Sequence, residues 1–175
     1  MNDLLLPAAI SQFTQYKMLA EKTFSQLSDD QLLLASGNES NSIAVIVKHM
    51  WGNMCSRWTD FLTSDGEKDW RKRDAEFEND LLTREVVMQK WEEGWACLFN
   101  ALQALSKKDL EKFVTIRSQP LTVTDAIFRQ LTHYAYHVGQ IVYIGKMLSN
   151  DNWKSLSIPR GGSAAYLAAM QKEPK

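Results

Sequence analysis

The chain has 175 residues, 45% of them hydrophobic and 23% charged, and its 20 Lys+Arg against 21 Asp+Glu leave a net charge of −1. These proportions suit one globular domain over residues 1–175. They exclude the basic field of a dedicated nucleic-acid binder, and no apolar run reaches the roughly 20 residues that span a bilayer.

The N-terminus, MNDLLLPAAISQ, lacks the basic start and small-residue cleavage site of a secretion signal, so a cytoplasmic protein is expected. Cys55 and Cys97 lie in separate helix-patterned segments and are expected to be reduced packing residues. Ile10, Phe13, Met18 (or Tyr16), Leu19, Phe24 and Leu27 recur near three and four, which predicts a first helix from about Leu5 to Leu27. Ser28-Asp29-Asp30 then marks a stop and a short new helical turn. The loop from Gly37 through Asn38 to Ser42 is rich in N-cap residues and opens a second helix, from about Ser42 to Leu62. Thr63 to Asp80 is charged and turn-forming, and predicts an ordered crossover with Trp70 and Phe77 pinned down. The run Glu67 to Glu78, mixed in sign, is expected to be its solvated surface.

A third helix spans about Thr83 to Leu105 and carries Val87, Trp91, Trp95, Leu98 and Leu102. Lys112 to Val123 alternates around Ser-Gln-Pro and predicts a small hairpin. Thr122, with Asp125 three residues on, resembles a capping box and starts a fourth helix that runs to about Leu148. The tail from Ser149 is apolar at Trp153, Leu156 and Ile158, and is expected to pack back on the helices; Arg160-Gly161-Gly162 in it reads as a packed turn. The pattern is all-α: a four-helix bundle with a long crossover between helices 2 and 3.

Three histidines carry the functional signal. His133 and His137 are four apart in LTHYAYHVGQI, so both rings leave one side of the fourth helix, and His49 sits midway along the second. Two rings from one helix and one from another can make a facial three-nitrogen set for a divalent metal. Taking about 100° per residue, His137 lies about 60° and His133 about 100° from Tyr134, the centre of the apolar arc, so both border the core. His49 falls opposite the main apolar arc of its helix, on a strip with Ser42, Val45, Asn53, Ser56 and Asp60 that either lines a cleft or faces water. Other metal patterns fail on spacing: Tyr134 replaces the Glu of HExxH, and Gln130 and Tyr134 stand where di-iron bundles need Glu.

His49 within SIAVIVKHMWGNM and the His-x-x-x-His-x-Gly-Gln pattern of HYAYHVGQ resemble the DinB/YfiT-like superfamily, over roughly residues 5 to 148. SIPRGGSAAY and the crossover resemble an uncharacterised bacterial branch of it. The resemblance implies a four-helix bundle in which His49, His133 and His137 hold one divalent metal, zinc or nickel, with iron or manganese as further options. Gly139 and Gln140 match the superfamily's Gly-Gln. Characterised relatives include transferases that use bacillithiol, mycothiol or glutathione, and others are described as metal-dependent hydrolases.

A coordinating thiol loses its proton at such a metal, whereas hydrolysis also wants a general base. Asp60 and Asp125, the carboxylates on the two histidine helices, are two to three turns away. Transfer of a bacillithiol-like thiol to an electrophilic small molecule is therefore preferred. A metal-dependent hydrolase, or a non-catalytic protein braced by its metal, is the alternative. Asn53, Gln130 and Gln140, each about a turn from a histidine, are candidates for substrate or supporting contacts, and equally for ordinary helix packing. Arg57 could reach a substrate carboxylate but reads first as a solvated side chain. Finally, Trp51, Met54, Trp58 and Leu62 broaden the apolar arc of the second helix, which suits a homodimer interface; cover by the crossover or tail is the alternative.

Overall fold

The computed structural model describes residues 4–37 and 39–172; Met1–Asp3 of the N-terminal stretch and Asn38 of the capping loop lie outside the described residues. The order is α1 (Leu5–Phe24), α2 (Asp29–Leu33), α3 (Ile43–Trp58), α4 (Arg84–Ala104), β1 (Phe113–Ile116), β2 (Gln119–Thr122), α5 (Val123–Ser149) and α6 (Ser163–Lys172). The chain is therefore mostly helical, with one small two-stranded sheet. Helix starts follow the cap residues. Ser28, Ser42, Thr83 and Thr122 each accept a backbone N–H three residues on, from Gln31, Val45, Val86 and Asp125. Such a cap contributes about 1 kcal/mol. Two helices end earlier than their periodicity predicts. α1 stops at Phe24 rather than Leu27, and α3 stops at Trp58 rather than Leu62 because Thr59 turns extended and Asp60 takes φ 49°.

α1 packs on α5 and α3 on α4, and the four apolar faces meet in one cluster. Aromatic rings fill its middle: Trp95 lies 6.4 Å from Phe13, 5.9 Å from Tyr134 and 5.4 Å from Trp91, centroid to centroid. Gly94 lets α3 and α4 approach closely, since a Cβ there would meet Trp51 Cα at 3.2 Å and Met54 Sδ at 3.0 Å. Part of the arc read as a candidate dimer surface is engaged by this packing. Met54 and Trp58 are buried within the single chain, and Trp58 Nε1 donates to the Tyr134 hydroxyl at 3.2 Å. Trp51 lies under Lys90 Nζ, 3.4 Å from its ring centroid, and donates to Glu93. α4 and α5 meet this arc from within the chain, Trp51 also lines a cleft with Trp70, Arg71 and Ala75 of the crossover, and Leu62 stays exposed.

The hairpin forms where alternation predicts it, with Val114 opposite Leu121. Its two-residue turn, Arg117-Ser118, has φ of 54° and 59°, the hand that matches strand twist but one that non-glycine residues adopt reluctantly. Asp65 in the crossover compensates, accepting the N–H groups of Arg117 at 2.8 Å and Ser118 at 2.7 Å, besides that of Glu67 at 2.7 Å. Burial raises the Asp65 pKa, but these backbone donors outweigh it and hold the carboxyl at about 2. A depressed carboxyl contributes stability above its unfolded value and loses it as pH falls. Asp65→Asn is therefore expected to lower the urea midpoint at pH 7, with the difference closing between pH 3.8 and about 2. A difference that persists unchanged at pH 2 would show that charge is not what Asp65 contributes.

The tail docks only at its start. Lys154 N donates to Gln26 Oε1 at 2.7 Å, while Gln26 Nε2 donates to Lys154 O. Beyond it, α6 buries no residue and Ile158 stays exposed, so the expectation of a packed tail holds for its first residues alone. Pro159 to Gly162 does make a turn, closed by Gly162 N to Pro159 O and with Gly161 at φ 79°. Among the described residues, no helix is long and apolar enough to cross a membrane.

Candidate metal centre

The crossover settles which way the His49 strip faces. It folds over α3, Glu76 reaches in from a short 3-10 turn (Asp74–Phe77), and His49 is left only 5% exposed. His49 Nδ1 lies 2.9 Å from Glu76 Oε2. An ionised carboxylate only accepts, so Nδ1 carries the proton and Nε2 presents its lone pair. Arg71 grips the same carboxylate with two bonds, Nε to Oε1 at 2.7 Å and Nη2 to Oε2 at 2.9 Å. Burial opposes ionisation of Glu76, but Arg71 and His49 prevail and hold it below the usual carboxylate range. Phe77 stacks on the His49 ring at 4.9 Å. Gly52 leaves room for Glu76, whose Cδ would lie 2.8 Å from a Cβ at that position.

On α5 the four-residue spacing brings His133 Nε2 within 3.0 Å of His137 Nε2, and His133 Nε2 is also 3.4 Å from His49 Nε2. His137 Nδ1 sits 2.9 Å from Gln140 Oε1, so its proton is likewise directed away from the cluster. The three histidines each offer a ligand atom within 4.8 Å of the others. Two outward-protonated rings and a third ring leave at most one N–H among three converging nitrogens. A cation answers that surplus of lone pairs, and the donor set suits a divalent transition metal. Burial, then the neighbouring His137 and His49, push His133 down to about 3, and burial pushes His137 down to about 4. Both are thus neutral at pH 7, the form in which imidazole binds metal.

Beside this cluster lies a cavity of about 170 Å³, walled by His49 and His133, by Asn53 and Gln130, and by five arginines. Asn53 Oδ1 accepts from the Tyr134 hydroxyl at 3.0 Å, which fixes its amide at the cavity floor. Gln130 is buried there, and Gln140 serves His137. Arg57 is not solvated: only 5% exposed, it donates to Gly66 O and to Glu67 Oε2 at 3.2 Å. The crossover is likewise not a simple solvated surface. Arg71 and Glu76 are buried at the site, whereas Trp70, expected to be pinned, is exposed and Phe77 is half covered by His49. Sequence reasoning missed both Glu76 and Arg71. Their signal was one acid and one base five apart in a charged run, which by itself does not separate a buried pair from a wet one. The two cysteines lie away from the site and are free, but the fold brings them together, and a hydrogen bond from Cys55 pulls the Cys97 thiol down to about 6.

A helical protein with three inward histidines, one of them buttressed by a carboxylate, is the class that fold and site define. The chain matches, over residues 2–162, the model of a family described as a protein of unknown function, DUF1572, and it belongs to that family. No curated protein matches it.

Proposed function

We propose that the chain is a four-helix bundle of the DinB/YfiT-like kind in which His49, His133 and His137 hold one divalent metal ion. The observation that carries this reading is the convergence of three Nε2 atoms, two of them on rings whose Nδ1 is engaged by Glu76 or Gln140. Carboxylate–histidine pairs of this kind orient metal ligands and raise their basicity. An ion bound there supplies the positive charge that turns a small thiol into a thiolate. The reaction we assign is transfer of that thiol to an electrophilic small molecule: a sulfur–carbon bond forms, the leaving group departs with its electron pair, and the thiol proton goes to solvent. Glu76 supports transfer over hydrolysis, since both its oxygens are bound to Arg71 and His49 and neither is available as a base.

Metal analysis of the purified protein tests the centre. Wild type is expected to retain about one equivalent of zinc or nickel, and His133→Ala and His137→Ala to retain none. At a free metal concentration 100 times the Kd, the stabilisation lost on ligand removal is about 2.7 kcal/mol. Equal metal content in all three proteins overturns the centre. A chromogenic electrophile offered with a panel of thiols tests the reaction. Turnover that needs a thiol and disappears in His49→Ala supports transfer. Ester cleavage without thiol assigns hydrolysis instead, and no turnover by metal-loaded protein leaves a binding or structural role.

A further inference from the structure

We propose that the cavity beside the histidines is an oxyanion site, and that the compound handled there carries a dianionic group, a phosphate or a pair of carboxylates. The inference rests on the metal-centre reading in one respect, namely that the anion sits next to the reacting atoms. The pocket itself stands on its own residues.

Arg57, Arg71, Arg73, Arg117 and Arg129 all line this one cavity. Among the described residues, two carboxylates touch them. Glu76 is occupied by Arg71 and His49, and Glu67 lies 3.2 Å from Arg57, 2.8 Å from Arg117 and 3.8 Å from Arg71. Neither Arg73 nor Arg129 pairs with a carboxylate among the described residues. Five positive charges against two negative ones leave an excess of three around a small, partly enclosed space. Field lines focus in such a cleft and raise the local concentration of anions.

Unmet hydrogen-bonding capacity points the same way. The Arg57 side chain is 5% exposed and that of Arg71 2%, yet among the described residues Arg57 Nε and Arg71 Nη1 have no hydrogen-bond partner. Buried cationic donors are costly without acceptors, and guanidinium forks match the oxygens of phosphate or carboxylate. Burial, opposed by Glu67, weakens the hold of Arg57 on its proton, and nearby Arg71 weakens it further, so an anion relieves crowding of like charge as well. Gln130 Oε1 is also buried without a partner among the described residues. It asks for a donor, which a hydroxyl on the ligand or a protonated phosphate oxygen provides.

Titration calorimetry with inorganic phosphate and with succinate tests the proposal, on wild type before and after metal removal by chelator. Arg73→Gln/Arg129→Gln is the diagnostic variant, because both side chains are exposed at the rim and circular dichroism can verify its fold. At least one probe is expected to bind both metal-loaded and metal-free protein, with a loss of about tenfold or more in the double variant. The tighter probe assigns the group as phosphate or dicarboxylate. Two results overturn the pocket: neither probe binding at about 10 mM, or binding that needs metal and ignores the arginine substitutions, which is an anion ligating the ion alone. Phosphate or succinate binding by a wild type that purifies without metal and takes up no added zinc or nickel keeps the pocket and overturns the metal centre instead.

Discussion

Glu76→Ala is expected to destabilise the metal-free protein by about 3–5 kcal/mol, because it strands a buried cation and a buried ring together. The Arg71 side chain is 2% exposed and directs both Nε and Nη2 at Glu76, and His49 Nδ1 directs its proton there as well. Removing the carboxylate leaves three donors facing a void, whereas Glu76→Gln keeps one acceptor and should cost less. Metal affinity is expected to fall by roughly 10–100-fold in Glu76→Ala, since the orienting partner of His49 is lost. Gly52→Ala makes the same case without touching a polar group. Its new Cβ would crowd the Glu76 carboxylate, at 2.8 Å from Cδ, so a penalty of about 1–3 kcal/mol and weaker metal binding should appear together. Urea unfolding of chelator-treated protein measures the first effect and competition with a metallochromic dye the second. Wild-type urea midpoints in Glu76→Ala would show that Arg71 and His49 find other partners.

Trp95→Ala should be comparably severe, at about 3–5 kcal/mol, for a different reason. Trp95 is completely buried and its ring contacts those of Phe13, Trp91, Phe99 and Tyr134, each centroid within 6.4 Å. Removing the indole opens a cavity where α1, α4 and α5 meet, and the surrounding rings are too rigid to fill it. For a chain of this length each kcal/mol lowers Tm by roughly 2–4 °C. Trp95 Nε1 has no hydrogen-bond partner among the described residues. Trp95→Phe therefore loses area but also removes an unpaired donor, and should fall well short of the alanine variant in a thermal melt. Equal costs for the two would mean that the indole N–H is satisfied in solution.

Periodicity was enough to find the long helices, because apolar residues such as Phe13, Val87, Trp91 and Ile127 each recur on one face and are each fully or almost fully buried. Alternation located the hairpin, although its turn falls at Arg117-Ser118 and leaves Gln119 and Pro120 of the Ser-Gln-Pro signal in β2, and cap chemistry located the start of α5. The histidine trio was legible for a related reason: His133 and His137 inherit their geometry from one helical turn, so spacing alone places them. What supports His49 was not legible. Glu76 lies 27 residues away and Arg71 22, across an irregular crossover whose path depends on tertiary bonds such as Gly66 N to Thr115 O. The same holds for the arginines of the cavity, gathered from α3, the crossover, the hairpin turn and α5. The width of the arc at Trp51, Met54 and Trp58 did not by itself say what meets it, because two helices of the same chain contact it and periodicity does not say which two.

The Asp65 clasp between crossover and hairpin turn has a consequence for how such a protein diversifies. Histidines that converge come from α3 and α5, while three of the five cavity arginines ride on the clasped pair of loops. Those loops can drift as one cassette, exchanging Arg73 and Arg117 for other side chains, while the helices beneath keep their register. Arg71 and Glu76, together with Phe77 stacked on His49, tie the cassette to the histidines. A descendant lineage that preserves those three residues can therefore remodel the cavity wall while the histidines keep their support, and a grafted crossover carrying all three is the natural unit for engineering it.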